Sequence, residues 1–427
     1  MSTAKPGDTI KASDGTTTEA SGTIDVADEA AGEMDSPESQ QIRQSAPTDE
    51  VPIGQFELLH DGDEDDYPGE TTHVTSVEMT DMSDLINEET TNVNPVNPVV
   101  AARADITTPD RPGYSTTAMA RLAGLVRRTP LVIIPAVQVR IGPVSLKLEN
   151  LQRTGSFKLR GAVRKIASLT AEEQAVGVVA ASAGNHGAGV ALAASRLGVK
   201  ATVVVSANTP QVKRDLIASL GAQVVVDGAN YDEAEAMAKI RASAAGAPFL
   251  SPYDDETIIA GNGGDLADEI LKQVPALSRV VAPVGGGGLI AGLARRLAPR
   301  GIEVIGVQPE NNCAMYDSLR GNKALTVYNG RDTLAEGCEG PVAERTFAIA
   351  QQYVKSVVLV SEAAIRRAVA FCYVKAGTVV EPTGAVPMAG FLEGVVSSAR
   401  RGTTVCILCG GNIEPDLLDN ILATEKV

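Results

Sequence analysis

A lysine becomes a nucleophile when its surroundings disfavour its charge. Lys158 has such surroundings in the run Leu148-Glu149-Asn150-Leu151-Gln152-Arg153-Thr154-Gly155-Ser156-Phe157-Lys158-Leu159-Arg160-Gly161-Ala162. A polar turn holding Gly155 and Ser156 opens a helix, and Lys158 stands in its first turn. A helix N-terminus carries partial positive charge, so a cation there is disfavoured. With Phe157 beside it, Lys158 is a candidate for a lowered pKa and a nucleophilic amine. The alternative is a surface lysine, the usual place for this residue type.

Three glycine-rich segments offer partners. Ala282-Pro283-Val284-Gly285-Gly286-Gly287-Gly288-Leu289 follows a strand and opens a helix. Its glycines let successive backbone N–H groups converge on one point at the positive end of a helix dipole. That is an anion cradle, most simply for phosphate. No Gly-Lys-Ser/Thr follows, which argues against a nucleotide P-loop, and Gly286-x-Gly288-x-x-Ala291 is a weak dinucleotide fingerprint. Four glycines in such a turn cost conformational entropy, which argues against a merely flexible loop.

Ser182-Ala183-Gly184-Asn185-His186-Gly187 also follows a strand. Asn185 offers a donor and an acceptor, and Ser182 with the helix-start N–H groups suits a carboxylate. An Asn/Ser helix cap is compatible with that role. His186 is counted with Ser182, Ala183 and Asn185 as substrate-facing, with no acid–base role. No Gly-x-Ser-x-Gly elbow accompanies it, so a Ser-His-Asp triad is not supported. In Thr403-Thr404-Val405-Cys406-Ile407-Leu408-Cys409-Gly410-Gly411-Asn412, strand alternation sends Cys406 and Cys409 to opposite faces. No second Cys/His pair supports a metal. Cys406 reads as core, and Cys409, at the carboxyl end, as ligand-facing.

The elements that must position these groups are short apolar strands: Val176–Ala181, Ala201–Ser206, Gln223–Asp227, Arg279–Val284, Glu303–Gln308, Ser356–Val360 and Thr403–Cys409. Helical patterns lie between them, at His186–Leu197, Gln211–Leu220, Asp232–Ala245 and Leu289–Ala298. This order predicts an α/β fold with a mostly parallel sheet covered on both faces. Ligands then sit beyond the carboxyl ends of strands, where the glycine segments fall.

Charge divides the chain. Residues 1–100 hold 23 Asp and Glu and 3 Lys and Arg, a net of −20, and the whole 427 residues net −16, so the remainder carries +4. Residues 1–110 are poor in apolar surface and read as a disordered acidic tail, with one short element around Ile53–His60. Its partner, if any, is unspecified; solubilisation is the bland role and phosphorylation-controlled binding the other. The +4 body has no basic run and gives no case for nucleic acid. Five cysteines, an odd count and partly in apolar runs, suggest reduced thiols in the cytoplasm. No apolar run reaches the ~18 residues of a membrane span, and no signal peptide is evident.

Taken in order, Ser-Phe-Lys-x-Arg-Gly-Ala, Ser-Ala-Gly-Asn-His and the four-glycine loop resemble the pyridoxal-phosphate enzymes of the second fold type, and among them the serine/threonine dehydratases. The resemblance runs from Arg128-Thr129-Pro130-Leu131 to Asn412. It implies that Lys158 carries the cofactor pyridoxal 5'-phosphate as a Schiff base. Phe157 would pack on its ring, Asn185 would bond its phenolic oxygen, and Gly285, Gly286, Gly287 and Gly288 would hold its phosphate. Cys409 would face the ring nitrogen. Pro252-Tyr253-Asp254 and Glu381-Pro382-x-Gly384-Ala385 look like family segments, with Glu381 near the ring. The implied reaction is α,β-elimination, in which freed Lys158 takes the Cα proton and a 2-oxo acid and ammonia are released.

Departures from the family pattern refine this. Relatives with serine racemase activity have a serine at the place of Ala183, so racemisation is not expected as the main activity. Gln308 and Ala314 replace acidic positions that bind a divalent cation in several relatives, so no metal site is expected. Ala260-Gly261-Asn262-Gly263-Gly264-Asp265 stands where relatives have Gly-Gln-Gly-Thr, which leaves the substrate open. The chain ends soon after Asn412, so no C-terminal amino-acid-sensing domain is expected. The domain plan is a large cofactor-binding domain, 111–177 with 259–427, and a small mobile domain, 178–258, assembled as a homodimer or homotetramer. The expected substrate is L-threonine or L-serine. Rival readings are a hydroxyaspartate dehydratase, a β-replacement synthase, a nicotinamide-dependent dehydrogenase and a non-catalytic relative.

Overall fold

A strand that is apolar at every position needs cover on both faces. The computed structural model describes Glu57–Leu58, Leu122 and residues 124–427, and they adopt the expected α/β architecture of parallel sheets flanked by helices. The strands are β1 (Glu57–Leu58), β2 (Leu131–Ile133), β3 (Val144–Leu148), β4 (Val178–Ala181), β5 (Ala201–Val205), β6 (Gln223–Val226), β7 (Leu277–Pro283), β8 (Glu303–Pro309), β9 (Ser356–Val360) and β10 (Thr403–Leu408). Seven form one sheet in the order β1-β2-β3-β10-β7-β8-β9, and three form another, β4-β5-β6. The β1–β2 and β2–β3 pairs are antiparallel. Every other neighbouring pair is parallel. Apart from β1, which falls inside the expected Ile53–His60 element, the expected acidic tail lies outside the described residues.

The large sheet has an apolar core on each face. Strand β10 and the residue after it show the alternation: Cys406 and Leu408 enter one core, and Val405, Ile407 and Cys409 the other. All five cysteines are free and buried. The small sheet is covered on one side by the helix Asn185–Leu197 and on the other by Tyr231–Ala245, whose Ala234, Ala238 and Ala242 meet Val179, Ala181 and Val204. Leu159, Ala162, Val163 and Ile166, from the helix that carries Lys158, lie in the first of these cores. The apolar packing of the small layer therefore begins before residue 178, where sequence texture places the boundary.

One local difference has a clear cause. The run expected as a strand from Val176 starts at Val178. Thr170 and Glu173 form a reciprocal capping box that starts a helix over Ala171–Val176, and Gly177, with φ of 98°, ends it. Ala260–Asp265 forms a π-helical turn between the helices Glu256–Ile259 and Leu266–Gln273. No helix among the described residues is long and apolar enough to cross a membrane.

Candidate active site

The carboxyl ends of β4, β7 and β10 open onto one cavity, the usual place for a ligand in such a fold. Its walls include Lys158, Phe157, Asn185, Glu381, Cys409 and the four glycines Gly285–Gly288. These residues span more than 250 positions of sequence, and the fold brings them together.

Lys158 is held from three directions. The Phe157 N–H donates to the Cys409 carbonyl at 3.0 Å, tying the start of the Lys158 helix to the end of β10. The Lys158 amine donates to the Pro252 carbonyl at 3.1 Å and lies 5.3 Å from the centroid of the Phe157 ring. Two residues along the helix, Arg160 forks onto both oxygens of buried Glu149, at 2.7 and 2.8 Å, and reaches Glu269 at 2.9 Å. Lys147 pairs with the same Glu269. Such a buried network is costly to break and locks the helix against β3 and the helix Leu266–Gln273. Burial lowers the Lys158 pKa to about 8, partly opposed by Cys409 and Glu381 nearby.

The glycine loop has no room for side chains. A Cβ at Gly285 would lie 2.3 Å from the Gly337 carbonyl oxygen, and one at Gly286 would lie 2.6 Å from the Tyr253 ring. Gly287 has φ of 94°, a conformation that disfavours every other residue. The Thr346 hydroxyl donates to the Gly286 carbonyl at 2.7 Å and holds the loop from behind. The helix Gly288–Leu297 starts directly after it, so free amides and a helix dipole face the same space.

Asn185 is oriented by a partner that the sequence reading did not single out. The Asn412 amide donates to Asn185 Oδ1 at 2.6 Å and to the Thr154 carbonyl at 2.8 Å. Asn185 Nδ2 is thereby turned outward and donates to Glu381 at 2.8 Å. Burial raises the Glu381 carboxyl to about 7, with the Asn185 and Asn412 hydrogen bonds opposing the rise. Burial pushes the Cys409 thiol well above its ordinary range and keeps it neutral.

The other sequence candidates lie around this centre. Ser182 Oγ accepts the Gly184 N–H at 3.2 Å. Ala183 packs against the core of the small layer. His186 is buried, with Nε2 bonded to the Leu250 carbonyl at 2.9 Å. A carbonyl only accepts, so Nε2 carries the proton. Burial, then the nearby Lys158, lowers this pKa to about 4, so the ring is neutral. His186 braces the segment leading to Pro252, a different place from the substrate-facing one expected of it. Gln308 is buried, donating to the Val284 carbonyl and accepting from the Tyr316 N–H. Tyr253, Gly337 and Thr383 also line the cavity. Thr383 is the unspecified position of Glu381-Pro382-x-Gly384, while Gly337 belongs to the single 3-10 turn Glu336–Cys338, too short to show periodicity.

Residues 122–410 match the family model described as pyridoxal-phosphate dependent enzyme. The chain belongs to this family. It is 41% identical to the L-threonine ammonia-lyase of Thermotoga maritima, over 70% of this chain and 75% of that protein. It is 38% identical to the catabolic L-threonine dehydratase of Staphylococcus aureus, over 70% and 87%. Among solved structures, the processed threonine deaminase isoform 2 of Solanum lycopersicum has a TM-score of 0.66 at 33% identity, covering 73% of this chain and 95% of that one. Maize serine racemase has a TM-score of 0.67 at 30% identity, covering 72% and 95%.

The residues of this pyridoxal-phosphate-dependent enzyme fit its cofactor. The crowded glycine cradle suits the phosphate, and Lys158, with its depressed pKa, suits the aldehyde. Outward-turned Asn185 suits the phenolic oxygen, and the neutral Cys409 thiol the ring nitrogen. The lowered Lys158 pKa has a measurable consequence. Only the neutral amine attacks an aldehyde, so the rate of pyridoxal phosphate capture by the full chain should rise with pH and level off just above 8. Stopped-flow absorbance reads this rate. A rate still climbing towards pH 10.5, the ordinary lysine value, would contradict it.

Proposed function

We propose that this enzyme is an ammonia-lyase of β-hydroxy amino acids, converting L-threonine to 2-oxobutanoate or L-serine to pyruvate, with release of ammonia. The observation that carries the reading is a buried amine, Lys158, in a cavity that also holds the neutral Cys409 thiol. Pyridoxal phosphate, when bound, supplies an aldehyde that condenses with amines and a ring that draws electron density from Cα. The exposed N-terminus of the helix Asn185–Leu197, with Ser182 and free space around Gly184, suits the substrate carboxylate. Once the substrate amine has taken its place, Lys158 is free as a base and removes the Cα proton. The electron pair left at Cα expels the β-hydroxyl, which leaves with a proton as water. The released enamine tautomerises and adds water, giving the 2-oxo acid and ammonia.

A thiol at the ring nitrogen retains electron density less strongly than an ionised carboxylate would, which suits a reaction whose leaving group departs soon after proton removal. Ala183 carries no proton for the opposite face of Cα, which favours elimination over racemisation. The names of the threonine ammonia-lyase relatives support the same substrate class. With this reading go a cytoplasmic location, a homodimeric or homotetrameric assembly, and a closing movement of residues 178–258. Lys213, on the helix Gln211–Ser219, reaches Glu414 at 3.1 Å and Glu336 at 3.7 Å, beside the cavity-lining Gly337, and supports the closure.

The test is release of 2-oxo acid from L-threonine, L-serine and hydroxyaspartate, with chiral analysis of recovered serine. Threonine or serine should turn over and D-serine should stay near background. Racemised serine without 2-oxo acid would overturn the proposal, and hydroxyaspartate alone as substrate would move it to the rival dehydratase.

A further inference from the structure

The amine of Lys158 and the glycine cradle belong to different helices, Lys158–Ala167 and Gly288–Leu297. Pro252-Tyr253 meets both directly, at the Lys158 amine and against Gly286, and a second short piece of chain packs on the backbone of both helices. In the π-helical turn Ala260–Asp265, a Cβ on Gly261 would lie 2.7 Å from Gly161 Cα and 2.8 Å from the Arg160 carbonyl oxygen. Two residues on, a Cβ on Gly263 would lie 2.2 Å from the Leu289 carbonyl oxygen and 2.7 Å from Gly292 Cα. The turn is thus pressed against backbone on both sides. A π turn carries an extra residue relative to an α turn and is frequent at functional sites.

Asn262 lies between these two contacts and is buried. Its Oδ1 accepts the Gly161 N–H at 2.9 Å. In an ordinary helix that N–H would bond to the Phe157 carbonyl, but here the first turn is tighter and this carbonyl receives the Arg160 N–H at 3.0 Å. The amide freed one turn after Lys158 is therefore satisfied from outside the helix, by Asn262. Gly161 permits the approach: a Cβ there would lie 2.5 Å from Asn262 Oδ1. Asp265 adds an ion pair to Arg164 on the same helix.

We propose that the turn Ala260–Asp265 is a spacer that sets the distance between the Lys158 amine and the Gly285–Gly288 cradle, with Asn262 as its positioning residue. A ligand held at an aldehyde end and a phosphate end gains affinity only if the two anchor points match its length, because the second contact forms at the effective concentration set by the first. The proposal rests on the cofactor assignment of the site and adds a device that calibrates it.

Binding to the full-length protein tests this. Pyridoxal phosphate uses both anchor points, and inorganic phosphate uses the cradle alone. Asn262→Ala should weaken pyridoxal phosphate by roughly 10-fold or more, while inorganic phosphate changes less than about twofold. Asn262→Asp keeps an acceptor for the Gly161 N–H and should restore most of the loss. If Asn262→Ala fails to fold, Asn262→Ser, which draws the acceptor oxygen back towards its own backbone, serves the same comparison. Equal losses for both ligands, or unchanged affinities despite a lower melting temperature, would overturn the spacer and leave Asn262 a stability residue. Failure of the cofactor reading is a separate result: the wild-type chain would then show no visible absorbance with pyridoxal phosphate.

Discussion

Lys158→Ala yields a protein that still takes up pyridoxal phosphate through the glycine cradle but lacks the absorbance band of a covalently held aldehyde. Its elimination rate falls by at least about 10³-fold. In the proposed reaction the same amine serves as cofactor anchor and as Cα base, and positioned general-base catalysis alone contributes roughly 10² to 10⁴. Absorbance after gel filtration reads the first loss and 2-oxo acid release the second. The surroundings of Lys158 make the variant informative. Its neighbour Phe157 is tied to Cys409, and Arg160 is locked onto Glu149 and Glu269. The helix therefore keeps its place when the amine is removed, and methylamine added to the variant should restore part of the rate. A variant that retained the band and the activity would assign both roles to another group.

Gly285→Ala is expected to be nearly as damaging, by a different route. The added methyl carbon would lie 2.3 Å from the Gly337 carbonyl oxygen, a backbone atom that cannot swing aside. The loop must move instead, and its amides no longer converge. Losing two hydrogen bonds to a phosphate, at about 1.5–3 kcal/mol each for a charged partner, weakens cofactor binding by roughly 10²-fold or more. Equilibrium dialysis of pyridoxal phosphate measures the effect. The same clash lowers the melting temperature of the cofactor-free chain, so binding is compared well below that temperature, where the variant is folded. Binding within about threefold of wild type would show that the phosphate is held elsewhere.

The two variants probe opposite ends of the proposed cofactor site, and both proposed ends rest on local signals in the primary structure. A lysine in a first helical turn and four glycines between a strand and a helix are local signals, with consequences that follow from backbone geometry nearby. Asn185 was singled out on the same terms. The alternation that separates Cys406 from Cys409 needed only the period of a strand.

Other parts of the site were not legible, because they depend on groups that meet only after folding. Asn412 was visible as the end of a glycine motif, but its amide orients Asn185 across 227 residues. The Pro252 carbonyl that receives Lys158 is a backbone atom and leaves no trace in residue type. His186 looked substrate-facing by proximity to Asn185. A helix turns about 100° per residue, however, and the next side chain faces the interior.

The sequence by itself determined the α/β class, and it singled out Lys158 as the candidate reactive amine and Gly285–Gly288 as the candidate anion cradle. Each is a property of a few consecutive residues and the period of their element. The tertiary structure decided how far apart those groups stand and which way they face. It also decided their charge: Lys158 titrates near 8 and Glu381 near 7 because both are withdrawn from water. Burial depends on the whole packed chain, and no local pattern of residues encodes it.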